Sequence, residues 1–224
     1  MIRRDYILRQ VEQFAAMLAK IIGLARSEQW REAGEATAGE FQALTGLDAE
    51  ALIRLSDSAL LAQLIESGPA MPVESKIFML AALLKSHGDL LAGQGRRNEG
   101  REFHLKGLHL LLGTFTGVEA SERPDFVPTV EAFLSALCEG PLPVTTNAML
   151  MHHYERIGEY AGAEDRLFEI LDAEPGQLEL LEFGRLFYQR LSSLSDDALA
   201  VGNLPRAEVQ SGLAELDERK SRLK

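Results

Sequence analysis

A single cysteine, Cys138, stands in 224 residues. An internal disulfide and any multi-cysteine metal site are thereby excluded, and the usage fits a reducing compartment. β-Branched residues are scarce: valine, isoleucine and threonine together number 24, against 37 leucines. That imbalance favours helices, because a β-branched side chain loses rotamer freedom in a helix and leucine loses little. No alternating apolar and polar stretch is long enough to read as a strand. No basic run exceeds a doublet (Arg3-Arg4, Arg96-Arg97, Arg219-Lys220) and the formal charge is −11, with a pI near 5.0. A phosphate backbone or an anionic membrane surface repels such a chain, so no nucleic acid and no membrane is expected among its partners. No unbroken apolar run of signal-peptide length opens the chain, and none of about 18 residues occurs anywhere. The expected location is cytoplasmic.

What is present is an ordinary soluble composition, 46% hydrophobic and 25% charged, punctuated by eight prolines at 69, 72, 124, 128, 141, 143, 175 and 205. Proline removes a backbone donor and clashes with the preceding turn, so helix interiors are expected between these points. Ile7, Val11, Phe14, Leu18, Ile21 and Ala25 recur at four- and three-residue steps. They predict one apolar stripe on a helix from about Asp5 to Arg26, with Asp5 as its cap or first-turn acid. A second helix is predicted from Ser27 to Leu44, capped by Ser27 and stopped by Gly46. Shorter helices follow at 48–55 and 57–67, with Asp48 and Ser56 as caps and Gly68-Pro69 as a stop. Further helices are predicted at 74–93, 96–112, 126–138, 144–157, 160–173, 177–194 and 205–220, with a loop at 114–124.

Two stretches share their spacing at an offset of 63 residues. Gly88, Leu91, Gly95, Gly100, His104 and Gly107 superimpose on Met151, Tyr154, Gly158, Ala163, Leu167 and Ile170. Each describes a helix, a tight turn at glycine and an antiparallel second helix, with Gly88, Gly100 and Ala163 small enough for close approach. Trp30, Ala33 and Phe41 form a fainter third copy, in step with Tyr160, Ala163 and Leu171. The pattern resembles the tetratricopeptide repeat, a 34-residue helix-turn-helix with a small residue early in its second helix and a proline after it. Arg156-Ile157-Gly158-Glu159-Tyr160-Ala161-Gly162-Ala163 with Pro175 is the better copy. The first copy carries His104 where a large apolar residue is usual, and it lacks the closing proline. The whole chain also resembles a bacterial family known only as a domain of unknown function. Arg4-Asp5-Tyr6-Ile7-Leu8-Arg9-Gln10-Val11-Glu12-Gln13, Lys106-Gly107-Leu108-His109-Leu110-Leu111-Leu112 and Gly202-Asn203-Leu204-Pro205-Arg206-Ala207-Glu208-Val209 carry that resemblance. It implies a bacterial cytoplasmic helical protein and no activity.

Catalytic signatures are absent: there is no P-loop, no G-x-G-x-x-G, no G-x-S-x-G and no H-E-x-x-H. Gly93-Gln94-Gly95 reads as a turn between helices. His152 and His153 point about 100° apart on a helix, and His104 and His109 also fall on different faces, so neither pair reads as a zinc site. Cys138, beside Glu139, reads as a buried small hydrophobe rather than a nucleophile. Glu164-Asp165 and Asp196-Asp197 read as helix-start charges and solvated faces. Neither a catalytic residue, nor a metal, nor a cofactor is expected.

The expected fold is an all-α, α-α superhelix, an irregular tetratricopeptide-like stack of antiparallel helix pairs in one domain over 1–224. Its parts are a helical region at 1–68, a repeat-like core at 74–195 and a closing helix at 205–220. The expected function is a non-enzymatic protein- or peptide-binding scaffold. In the tetratricopeptide family the first helix of each repeat lines a groove, and the resemblance places Lys85, Asp89, His152, Glu155 and Arg156 there. This mixed-charge set lacks the asparagine and lysine pattern with which that family clamps a terminal carboxylate. The stripe of the N-terminal helix packs within the chain or against a second copy, giving a homodimer. The alternative function is a small-molecule sensor or an enzyme whose site assembles from distant helices, for example His104 with His152. A closed polar pocket would favour that alternative, and an open groove the binding module.

Overall fold

A computed structural model describes residues 2–67, 71–114 and 123–223. Among the described residues every regular element is a helix, twelve in all, as the leucine excess and the missing alternation required. The chain forms two compact units, Met1–Pro141 and Leu142–Lys224, divided inside the proline-rich Pro141-Leu142-Pro143 segment.

Unit 1 holds α1 (Ile2–Arg26), α2 (Trp30–Thr45), α3 (Ala49–Arg54), α4 (Asp57–Glu66), α5 (Val73–Gly93), α6 (Arg97–Thr114) and α7 (Val130–Ala136). Its core gathers Phe14, Leu18 and Ile21 of the predicted α1 stripe with Phe41, Leu52, Leu60, Leu64, Leu80 and Leu84. These three stripe residues pack within the unit, with Val11 partly buried against them. α5 is buried almost all round, as expected of a helix surrounded by neighbours rather than laid on a surface. Asp48 and Ser56 cap α3 and α4 as their positions predicted, accepting from the backbone N–H of Ala51 at 2.8 Å and of Ala59 at 3.2 Å. Each such cap stabilises its helix by about 1 kcal/mol.

Unit 2 holds α8 (Val144–Ile157), α9 (Tyr160–Ala173), α10 (Leu178–Ser192), α11 (Asp196–Val201) and α12 (Arg206–Ser221). Its core joins Met151, Ala163, Leu167, Leu171, Leu181, Phe187, Tyr188 and Leu216.

One turn recurs four times. After α5, Gly95 adopts φ +83°, its N–H bonds Ala92 O at 3.0 Å, and the next N–H, of Arg96, bonds Leu91 O at 2.9 Å. After α8, Gly158 (φ +83°) bonds Glu155 O at 3.3 Å and Glu159 bonds Tyr154 O at 2.9 Å. The same two bonds follow α1, through Glu28 (φ 58°) and Gln29 to Ala25 and Leu24, and follow α11, through Asn203 (φ 57°) and Leu204 to Ala200 and Leu199. This is the Schellman closure, which satisfies otherwise orphaned C-terminal carbonyls and reverses the chain within two residues. It places Glu28, Gly95 and Gly158 in the register that the sequence alignment of Ala33, Gly100 and Ala163 demanded.

Several boundaries differ from expectation. α1 begins at Ile2, ahead of Asp5, so Asp5 does not cap it. α2 starts at Trp30 rather than Ser27, because Ser27 and Glu28 form the Schellman turn, and Gln29 precedes the helix without a side-chain cap. α6 runs through Gly113 to Thr114. Thr129, not a residue near 126, caps α7: residues 125–127 form a turn closed by the Val127 N–H on Pro124 O at 3.0 Å, and the Thr129 hydroxyl accepts from the N–H of Ala132. α11 was not expected as a separate helix: Ser195 caps it, and Asp196 and Asp197 are first-turn acids as read. Cys138 lies beyond the end of α7 and is exposed, which corrects its reading as a buried hydrophobe. The Gly68-Pro69 stop and most of the loop expected at 114–124 lie outside the described residues.

Candidate functional site: an open groove between the first helices of two hairpins

Small residues set the geometry of the α5–α6 hairpin. A Cβ at position 100 would lie 2.6 Å from the carbonyl oxygen of Gly88, and one at position 88 would lie 2.8 Å from that of Gly100. Backbone therefore meets backbone where the two helices cross. The ring of His104 lies directly over Gly88, in the space a side chain there would need. This explains the departure at His104 from the repeat pattern: a flat polar ring fills the gap and reaches an acid on the neighbouring helix. His104 is buried, and its Nε2 lies 3.0 Å from Asp89 Oδ1.

Asp89 also accepts from Lys85 Nζ, at 2.7 and 2.8 Å to its two oxygens. Lys85, Asp89 and His104 thus form one cluster that ties α5 to α6. Partial burial pushes the Asp89 carboxyl up, but the bonds from His104 and Lys85 outweigh it and hold the group below its ordinary value. A second cluster of the same composition ties α6 to α4. Asp57 accepts from Lys106 Nζ at 3.0 Å and lies 2.9 Å from His109 Nδ1, while Lys106 also donates to Leu55 O at 2.6 Å. Lys106 and His109 are three residues apart on α6, which brings both to one acid.

Lys85 and Asp89 stand on the wall of a groove of about 400 Å³ between α1 and α5. Leu18, Ile22 and Ala25 of α1 face Ala82 and Ser86 of α5 across it. Trp30, Phe126 and Pro128 also line it. Two packing details hold the walls. The Trp30 ring lies against Gly93, where a Cβ would come within 2.9 Å of it, and Phe126 meets Phe14 edge-on with ring centroids 5.3 Å apart. Ile22 is 37% exposed at the lip. Arg26, also at the lip, is exposed and has no ion-pair partner among the described residues. α1 and α5 are the leading helices of the hairpins α1–α2 and α5–α6.

The other three expected residues belong to unit 2. His152 is exposed on α8, with its ring 5.7 Å from that of Phe183 on α10. Glu155 forms a two-point ion pair with Arg190 of α10, at 2.6 and 2.8 Å. Arg156 is exposed. His152 and Glu155 thus lie on the side of α8 that faces α10.

Sequence reading missed two features. Glu164 is no simple solvated charge: it is half-buried in α9 and accepts at 2.5 Å from Tyr188, whose ring is fully buried. The hydroxyl reaches it because Gly212 of α12 leaves room beside the phenol. His87 is wedged edge-on against Phe41 and Phe103, with centroids 5.5 and 4.5 Å away. Its buried Nδ1 has no hydrogen-bond partner. Burial, and then the charge of Arg96, push its pKa down to about 4. The only sequence signal for His87 was its place beside Leu84 and Leu91 on the apolar face of its helix, and Glu164, read as solvated, gave none.

Among the described residues no three His, Cys, Asp or Glu side chains stand close enough to hold a metal ion. Nor is any described helix long and apolar enough to cross a membrane. No curated protein and no solved structure matches the chain. One family model does, over residues 1–221, nearly the whole length that α1 to α12 occupy. This all-α chain belongs to the family of unknown function DUF6483.

Proposed function

We propose that the protein is a non-enzymatic peptide-binding module of the cytoplasm, and that the α1–α5 groove receives a short segment of a protein partner. One observation carries this reading. Ile22, Ala25, Trp30 and Phe126 present apolar surface in an open groove, while Lys85 and Asp89 form a charged ledge on its wall. Apolar side chains that share a groove and are rimmed by charge are the usual ground of a docking surface. An open groove also favours this reading over a sensor or an enzyme, which would need a closed polar pocket with converging acids or histidines. The unpaired Arg26 at the lip suits a segment that carries an acid beside two apolar anchors.

Selection of displayed random peptides against the full-length protein tests the proposal. Enriched peptides are expected to carry two apolar residues and an acid. They are expected to bind with a Kd on the order of 10 µM and to lose at least about tenfold on Ile22→Asp, a substitution at an exposed position. Peptides that bind wild type and Ile22→Asp equally, or no enrichment over the starting library, would overturn it.

A further inference from the structure

A second groove lies wholly within unit 2. It runs between the end of α9, the turn into α10 and the side of α12 that faces α9, and encloses about 710 Å³. Its floor is apolar: Leu171 and Leu181 are nearly buried, and Ala214 and the 44%-exposed Leu223 flank them. Its rim carries four carboxylates, Asp172, Glu174, Glu215 and Glu218, and two guanidiniums.

The two arginines are already engaged. Arg219 donates to Asp172 at 2.7 Å and to Glu215 at 2.9 Å, and its guanidinium lies 5.2 Å from the centroid of the Phe168 ring. Arg222 donates to Glu218 at 2.6 Å. Glu174 accepts only from the amide of Gln177, and no cation pairs with it among the described residues. The rim therefore keeps a net negative charge after its internal pairs are made. The same sign extends along the seam of α9 and α12. Glu164 is held above the ordinary carboxylate range, by burial first and then by the like charges of Glu208, Asp165 and Glu215. Unit 2 as a whole carries fifteen carboxylate side chains against nine Lys and Arg.

An apolar floor beneath an acidic rim is complementary to one kind of segment. We infer that this groove binds a basic amphipathic peptide of a partner protein, seating an aliphatic or aromatic side chain on Leu171, Leu181 and Leu223 and setting Lys or Arg against Glu174 and against Glu215, which shares a single arginine with Asp172. The apolar contact supplies affinity, and the charges select the sign of the ligand and speed its approach. This inference stands apart from the α1–α5 groove, which shares none of these residues.

The test is fluorescence anisotropy on the full-length protein with three labelled twelve-residue peptides. One alternates lysine pairs with leucines, one keeps the leucines but replaces lysine by glutamate, and one keeps the lysines but replaces leucine by serine. The first is expected to saturate with a Kd on the order of 10 µM and to weaken as salt rises. The other two are expected to bind at least about tenfold more weakly. Glu174→Lys and Leu223→Ser, both outside the core, should each cost the first peptide a similar factor. Ile22→Asp in the other groove should cost it nothing. Glu66→Lys, the same charge change on α4, controls for general attraction to an acidic protein. Equal losses from Glu66→Lys and Glu174→Lys would overturn the inference, and so would equal binding of the lysine and glutamate peptides. Concentration-dependent dimers in sedimentation that Glu174→Lys abolishes would assign the groove to a second copy of the chain and overturn it as well.

Discussion

Gly88 and Gly100 touch through their backbones: the carbonyl oxygen of each stands where a β-carbon of the other would have to go. Neither oxygen can retreat without parting α5 from α6. Gly100→Ala is therefore expected to destabilise unit 1 by about 2–3 kcal/mol, since the loss of interhelical packing outweighs the helix propensity gained. Gly34→Ala, in a helix with nothing within 4 Å of the added carbon, should instead stabilise by about 0.5–1 kcal/mol. Urea unfolding of the two variants checks both signs.

The recurrent Schellman turn gives a second contrast. Glu28 occupies the left-handed position that glycine fills at 95 and 158. A β-carbon there is strained by about 1 kcal/mol. Glu28→Gly should raise stability by about 0.5–1 kcal/mol, and Gly158→Ala should lower it by about 1 kcal/mol. Asn203→Gly should do little, because asparagine tolerates this conformation. Thermal midpoints of the three variants decide the matter.

His87 makes stability depend on pH. An unfolded histidine takes up a proton near pH 6.5, whereas the buried ring resists until about 4. The unfolded state therefore binds more protons between these values. Stability is full above pH 6.5, falls as pH drops to about 4, and levels off below, with a total loss of at most about 3 kcal/mol. The difference in unfolding free energy between wild type and His87→Leu, followed from pH 8 to pH 4, should show this slope.

Glu164 acts with the opposite sign. Its carboxyl is held above the ordinary value, by burial first and by neighbouring acids, against the opposing bond from Tyr188. On raising the pH the unfolded chain loses this proton before the folded one does. The group's contribution is therefore complete below the ordinary carboxylate pKa and is lost as pH rises through the elevated folded value. Glu164→Gln keeps an acceptor for the Tyr188 hydroxyl and removes the charge. It should raise the thermal midpoint at pH 7 and leave it nearly unchanged at pH 4.

How much of this was legible beforehand is clearest from particular residues. Asp48 and Ser56 could be read as caps because a cap is a local bond, made three residues along the same chain. Gly88, Gly100 and Gly95 could be read because a small residue at a crossing or a left-handed turn has few substitutes. Lys85 and Asp89 could be read as neighbours on one helix face from their four-residue spacing, but their assignment to a groove came only from the resemblance to the tetratricopeptide repeat. By contrast, the partners of those residues were invisible. Nothing local says that His104 reaches Asp89, that His109 and Lys106 share Asp57, or that Tyr188 reaches Glu164 across 24 positions.

The sequence by itself determined the all-helical character, most helix positions and the turns that reverse the chain, because these follow from side-chain entropy, proline geometry and bonds between near neighbours. Only the tertiary structure decided that residues 1–141 and 142–224 form separate compact units, that Cys138 is exposed, and which apolar surface is left open as a groove. Those outcomes depend on which helix covers which, a balance of burial over the whole chain that no short stretch encodes.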